Sequence, residues 1–398
     1  NRPKIMTTNL KSDPEIIVEY TDPLEGFKGW LAIDRTVHRI SAGGMRVQPG
    51  LTREHLAEMA GNMTRKMQMA DLRVDGAKCG IDYDPSSPGK AAAVSRFIRA
   101  ISPYIKTSYS MGPDLNVDMM ELEEAARPHG IPSVKMAIAT AQGWDLAYFL
   151  KRYEILSETI GDFTLGRLRA GYGVAAAVLG VLQSLDIEPS TATISMQGFG
   201  NLAKAALYGL SEEGCRIVAI ADEHKCLSAE NGLDTDSILA ERSGLLPTHD
   251  HDASIITASS EAIFACDCDI LVPAALENTV TPEIAAKIKV KAIIPGANLA
   301  VPEESGRILH ERGIPVVPDF LAGCGGSLSM EGLFSPDEHP SPQEVLAHVK
   351  KKMQDLVRQV ITLGDEKKCS LTEAALEICS SRKVYGDSRP YGKLEVKS

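Results

Sequence analysis

The sequence is short of positive charge relative to negative. Lysine and arginine total 42 against 53 aspartates and glutamates in 398 residues, a net charge of −11. Nucleic acid and anionic membrane surfaces are bound by basic stripes, so neither is expected as a partner. An anionic small molecule held by one or two local lysines remains compatible. Paired cysteines are missing too. The 8 cysteines are scattered from Cys79 to Cys379, and Cys266 and Cys268 stand too close for the usual zinc ligand pair. Several lie in apolar runs, where a reduced cysteine behaves as a small hydrophobe. No apolar stretch approaches a membrane span. The first residues lack the basic segment and apolar run of a secretory signal. There is no internal repeat and no low-complexity run. His249, Asp250 and His251 have no third ligand at a standard spacing and read as a solvated polar loop. The expectation is a cytoplasmic protein with no metal and no membrane.

At 398 residues the chain exceeds one typical core, so two domains are expected. Residues 15–50 read as strands and turns leading to Ala42-Gly43-Gly44-Met45-Arg46. A helix starts after Thr52, a good N-cap, with Leu56, Met59 and Met63 at helical spacing. Lys66 continues that stripe, and a lysine there is either snorkelling or functional. Met67 and Met69 read as core filler. Ile105–Tyr109 reads as a strand running into Gly112-Pro113-Asp114. From about residue 165 strands and helices alternate, as in right-handed βαβ units on a parallel sheet. Strands are expected at 192–196, 216–221, 270–272, 292–294 and 315–317. Helices are expected at 282–288, 303–312, 341–363 and 371–381.

Gly198-Phe199-Gly200-Asn201-Leu202-Ala203 follows a strand and opens a helix, which is the context a dinucleotide cradle needs. The first glycine permits the tight turn, the second lets a pyrophosphate approach, and the helix N-terminus attracts it. Asp222, 24 residues beyond Gly198, ends the next strand and is placed to accept from ribose hydroxyls. A carboxylate there favours NAD, while His224 and Lys225 keep NADP open. Lys78 sits among small residues in Gly76-Ala77-Lys78-Cys79-Gly80, 12 residues after Lys66. A lysine in a partly dry pocket beside another cation has a lowered pKa and can act as a base. Asp114 follows in a turn. Lys78 and Asp114 are either an exposed salt bridge or a proton-handling pair.

These blocks, with Pro273-Ala274-Ala275, Gly296-Ala297-Asn298 and Pro318-Asp319-Phe320, occur in an order that resembles the glutamate/leucine/phenylalanine/valine dehydrogenase family. The resemblance implies an α/β enzyme of two domains that oxidatively deaminates an L-amino acid with NAD(P). Residues 1–150 would form a substrate-binding and oligomerisation domain. Residues 151–335 would form a Rossmann-type, doubly wound dinucleotide domain, and 336–398 would be C-terminal helices returning to the first. Lys66, with the backbone at Gly44, would hold the α-carboxylate. Lys78 would activate water and Asp114 would shuttle protons. Asn298, Ala274 and Ala275 would line the nicotinamide side. A homo-oligomer is expected. Reductive amination of a 2-oxo acid is the same chemistry reversed, and a catalytically quiet NAD-binding descendant is the rival class.

The chain also departs from that pattern. Glutamate dehydrogenases carry a lysine where this chain has Ala42, which disfavours glutamate and favours an uncharged, apolar or bulky side chain. Gly323 and Cys324 replace an Asn-Ala pair, and Gly323 is expected to enlarge the pocket. Arg169-Ala170-Gly171 replaces an Ala-Thr-Gly turn. Asp75 and Cys79 stand where glycine is common, and Asn116-Val117 where Gly-Thr is usual.

Overall fold

A computed structural model describes residues 13–241, 244–248, 254–386 and 388–392. The loop read at His249, Asp250 and His251 lies outside these residues. The first unit is a five-stranded sheet of β1 (Ile16–Thr21), β2 (Lys28–Ile33), β3 (Ser41–Val47), β4 (Asp75–Ile81) and β5 (Tyr109–Pro113), in the order β1-β2-β4-β3-β5. Strand β3 runs parallel to both β4 and β5, while β2 is antiparallel to β1 and β4.

Helix α1 (Arg53–Met69) begins where expected: the Thr52 side chain accepts the His55 N–H. Leu56, Met59 and Met67 are buried on its inner face. It crosses β4 at Gly76, where a Cβ would stand 2.2 Å from the Thr64 nitrogen, so only glycine permits this approach. Beyond β4 come α2 (Lys90–Ala100), α3 (Ser102–Thr107), α4 (Met119–Ala126), α5 (Ala137–Gln142) and α6 (Leu146–Tyr153). The strand expected at 105–109 is therefore corrected. Pro103 in the first turn starts a helix that runs to Thr107, and the strand begins at Tyr109. One core joins Leu31, Met45, Phe97, Ile105, Tyr109 and Leu122 between this sheet and its helices.

A short hairpin, β6 (Thr159–Ile160) and β7 (Phe163–Thr164), leads into α7 (Leu165–Ser184). The second sheet comprises β8 (Thr193–Gln197), β9 (Arg216–Ala221), β10 (Cys226–Ser228), β11 (Ile256–Ala258), β12 (Cys268–Pro273) and β13 (Val290–Ile293), in the order β11-β10-β9-β8-β12-β13. The four strands β9, β8, β12 and β13 are parallel, as a doubly wound fold requires. The sheet is not wholly parallel, because β10 and β11 add an antiparallel edge. The strand expected at 315–317 reduces to one bridge between Val316 and Ile293.

Helices α8 (Asn201–Glu212), α9 (Thr235–Leu239), α10 (Pro282–Ala285), α11 (Glu303–Glu311), α12 (Asp319–Ala322) and α13 (Gly325–Phe334) follow the strands. Arg169-Ala170-Gly171 lies inside α7 and not in a turn. Helix α7 also corrects the expectation that no apolar stretch approaches a membrane span: by length and composition it does. It is mostly buried, packed against α8, α13 and the long α14 (Pro342–Lys367). The return to the first unit is made by α15 (Leu371–Ser381), which packs on α1, and by the tail, where Arg73 donates to the Gly392 carbonyl at 2.6 Å.

Candidate active site

Strand β5 ends at Pro113, and Asp114 turns back over β3 and β4. The Asp114 Oδ2 atom is 2.8 Å from Lys78 Nζ and 2.8 Å from Arg46 Nε. One carboxylate oxygen thus accepts from two cations on neighbouring strands. The register explains the meeting: Arg46 pairs with Gly80 across β3–β4, and Gly44 pairs with Gly112 across β3–β5. Gly44 is required there, since a Cβ would lie 2.8 Å from the Pro113 carbonyl oxygen.

Lys78 is 4% exposed. Burial pushes its ammonium below the ordinary lysine range, and the Arg46 and Lys66 charges add to this, with Asp114 opposing. Burial alone would raise the Asp114 carboxyl, but the Lys78 and Arg46 charges outweigh it and hold it well below the usual carboxylate range. The resting pair has an ionised aspartate beside a lysine that loses its proton easily. The exposed-salt-bridge alternative does not describe it.

Ala42, Gly44, Lys66, Lys78, Asp114, Leu202 and Asn298 line one cavity of about 340 Å³ between the two units. Lys66 Nζ donates to Asn298 Oδ1 at 2.7 Å. Two more polar contacts cross the cleft, Arg46 Nη1 to Glu277 at 3.1 Å and Asn62 Nδ2 to Asp319 at 3.2 Å. The room expected from Gly323 is not open pocket. A Cβ there would stand 2.8 Å from Lys66 Nζ, so the missing side chain makes way for the lysine.

The other departures also have local reasons. The Asp75 carboxylate accepts the His38 N–H at 2.6 Å and pairs with His38 Nδ1 at 2.9 Å. Asn116 takes a left-handed φ of 62° in glycine's usual place and donates to the Val47 carbonyl. The Cys79 thiol is buried and pushed up to about 12, with Tyr109 Oη 3.3 Å from its sulfur. It packs and does not react.

The glycine turn fits a dinucleotide on three observations. Gly198 has φ 112°, and a Cβ on it would meet the Ala274 oxygen at 2.8 Å. Above Gly200 lies open space, with no atom within 4 Å of a Cβ position. Helix α8 begins at Asn201 with no side-chain cap and no acidic residue in its first turn, leaving its N–H groups for an anion. Phe199 and Ala203 are buried beneath, and the Ala274 and Ala275 backbone closes against Gly198. Gln197 Oε1, at the end of β8, is buried without a partner. Asn201 shares a second opening with Asp114 and Asn116, so the turn faces the carboxylate across the cleft.

Asp222 corrects an expectation in part. Its Oδ1 accepts the His224 and Lys225 N–H groups at 2.8 Å, and Oδ2 accepts Leu246 N–H at 2.7 Å. The carboxylate is committed to shaping its own loop, which leaves only its remaining lone pairs for a ribose.

Three functional candidates escaped the sequence reading. Arg46 was visible in the Gly-Gly-Met-Arg block but had no role until its bond to Asp114 appeared. Lys135, in the apolar run Val134-Lys135-Met136-Ala137, lines the same cavity and is 6% exposed. Arg169 lines it too, donating from Nη1 to the Gly326 carbonyl and to Ser329 Oγ, both at 2.9 Å. A lone cation inside an apolar run was the available signal for Lys135; Arg169, two residues after Arg167, offered none of that kind.

Comparison with known proteins agrees with this architecture. The model of the Glu/Leu/Phe/Val dehydrogenase dimerisation domain matches residues 14–127. The Glutamate/Leucine/Phenylalanine/Valine dehydrogenase model matches residues 165–388. The chain is 28% identical over 300 residues to NADP-specific glutamate dehydrogenase A1 of Halobacterium salinarum, spanning 71% of this chain and 66% of that one, just under two thirds. It is 28% identical over 367 residues to the NAD-specific glutamate dehydrogenase of Staphylococcus aureus, spanning 88% and 83%. Its fold superposes on hetero-hexameric glutamate dehydrogenase from Thermus thermophilus in a Leu-bound form with a TM-score of 0.74, at 25% identity, covering 93% and 88% of the two chains. With one family matched in order over both units and the glycine turn and charged cluster in place, this chain belongs to the glutamate/leucine/phenylalanine/valine dehydrogenase family.

Proposed function

We propose that this chain catalyses NAD(P)-dependent oxidative deamination of an L-amino acid to its 2-oxo acid and ammonia. The observation that carries the proposal is the Lys78–Asp114–Arg46 cluster, set in a cavity that also holds Lys66. When bound, NAD(P) supplies the hydride acceptor, and the turn at Gly198–Ala203 would hold its pyrophosphate. Lys66 and the backbone at Gly44 fix the substrate α-carboxylate. Asp114, anionic at rest, takes a proton from the substrate ammonium. Once hydride has left Cα, the free amine of Lys78 takes a proton from water as the water oxygen bonds to the iminium carbon. Asp114 returns its proton to nitrogen, and as the C–N bond breaks its carboxylate takes the hydroxyl proton, leaving the 2-oxo acid and free ammonia.

Ala42 presents a methyl group and Met59, Met63 and Met330 line the same cavity. Together they favour a side chain with an apolar stem that no cation at position 42 grips, and we place glutamate behind larger substrates. A catalytically quiet reading loses ground because Gly323 makes way for Lys66 and does not vacate its site. We further propose a homo-oligomer, supported by the match to a dimerisation-domain model.

The test is cofactor reduction with NAD and with NADP against a panel of L-amino acids, and cofactor oxidation with the matching 2-oxo acids plus ammonia. Turnover of one substrate class in both directions is expected. Tight cofactor binding with no turnover of any substrate would contradict the proposal.

A further inference from the structure

Lys135 is a buried cation that the mechanism above does not use. It is 94% buried in the same cavity as Lys66, Lys78 and Asp114. Its ammonium has no hydrogen bond and no ion pair among the described residues; its backbone N–H donates to Ser133 Oγ and its carbonyl accepts the Ile138 N–H. Its Nζ opens onto the cavity and is not sealed off among apolar atoms, so an anion bound there could supply the partner that the protein does not. Burial and then the Arg169 charge pull its titration down to about 7, with Glu123 opposing, so an anion bound beside it would also restore its charge.

The position is informative. Ala42 pairs with Ser110, and Gly44 pairs with Gly112, on adjacent parallel strands. All four line the cavity, from the same face of the sheet. A Cβ on Gly112 would stand 3.6 Å from Lys135 Nζ. The ammonium thus hangs over the sheet face that carries Ala42, delivered from the segment before α5. Position 42 has no cation, and this face has one all the same.

We propose that Lys135 holds an anionic group at the far end of the substrate side chain, so that the preferred substrate is an L-amino acid with an apolar stem ending in a carboxylate. This rests on the deamination reading of the same site. Lys66 and Lys78 serve the α-carboxylate and the water, while Lys135, with Arg169 behind it, serves the side chain. Met59, Met63 and Met330 supply walls for the stem.

The test compares L-2-aminoadipate with L-norleucine, which match in length and differ in the terminal charge. The wild-type enzyme is expected to favour 2-aminoadipate in kcat/KM. Lys135→Met should lower that preference about 10- to 100-fold, the value of a charged hydrogen bond. Lys135→Arg should largely restore it, which separates lost charge from lost packing. Dead-end binding of adipate against hexanoate to the enzyme–NADH complex reads the same preference without turnover. Equal treatment of adipate and hexanoate by the wild-type protein, or a ratio unmoved by Lys135→Met, overturns the proposal. If no amino acid is oxidised while adipate is still preferred, the deamination reading fails and the Lys135 assignment stands.

Discussion

Lys78 and Asp114 share a bond that sets the charge of each. Burial, with the Arg46 and Lys66 charges, favours the free amine of Lys78 against the pull of Asp114, while the Lys78 and Arg46 charges hold Asp114 ionised. In the proposed mechanism the active form has Lys78 without its proton, so kcat/KM should climb as pH rises through the Lys78 titration. That limb should lie below the free-lysine value of about 10.4. Arg46 is one of the charges pushing the Lys78 ammonium down. Arg46→Met should therefore move the limb to higher pH, and a pH–rate profile checks it; a limb that stays in place would mean that Lys78 is not the titrating base. At this scale the sequence was legible where a charged residue stood among small ones in a run of glycines. It gave no role to Arg46 or Lys135, because their places arise from strand register and from a segment laid against β5, which no local pattern announces.

Among the elements, the turn between β8 and α8 is the most constrained. Gly198 combines a left-handed backbone with a carbonyl 2.8 Å from its Cβ position. Gly198→Ala should cost about 1–2 kcal/mol of stability and weaken cofactor binding by about tenfold or more. Isothermal titration with NAD and NADP, alongside thermal unfolding, measures both effects. Undiminished affinity would show that the pyrophosphate does not rest there. Helix α1 was readable from its cap and apolar stripe, and the parallel strands from their short apolar runs. Residues 105–107 were misread because a six-residue helix has too few turns to display its period, and Ile105 suits either structure. The antiparallel edge at β10–β11 was missed for a related reason: three-residue strands carry no alternation to detect.

Across the whole molecule, the units are joined by polar contacts over the cleft and by buried tethers behind it. Arg152 is fully buried on α6 and donates to the Leu333, Pro336 and Glu338 carbonyls and to Tyr148 Oη, with its guanidinium over the Trp144 ring. It fastens α6 to the end of α13 and the loop that follows. Arg152→Met leaves those carbonyls unpaired and should cost about 3 kcal/mol or more, read as a lower urea midpoint; an unchanged midpoint would show that the tether is dispensable. Two domains and a doubly wound second unit followed from length and from alternating strands and helices. The tail's bonds to Arg73 and Gln142 did not, since they join residues more than 240 positions apart.

In the proposed function the cavity between the units converts an amino acid to a 2-oxo acid with Lys78 as the base. Lys78→Ala, assayed for amino-acid-dependent NAD(P) reduction and ammonia release beside the wild-type enzyme, tests it most directly. The wild type should turn over, with cofactor reduced and ammonia released in equal amounts. Both should be lost in the variant, with cofactor binding retained. Ammonia release at an undiminished rate by Lys78→Ala would contradict it.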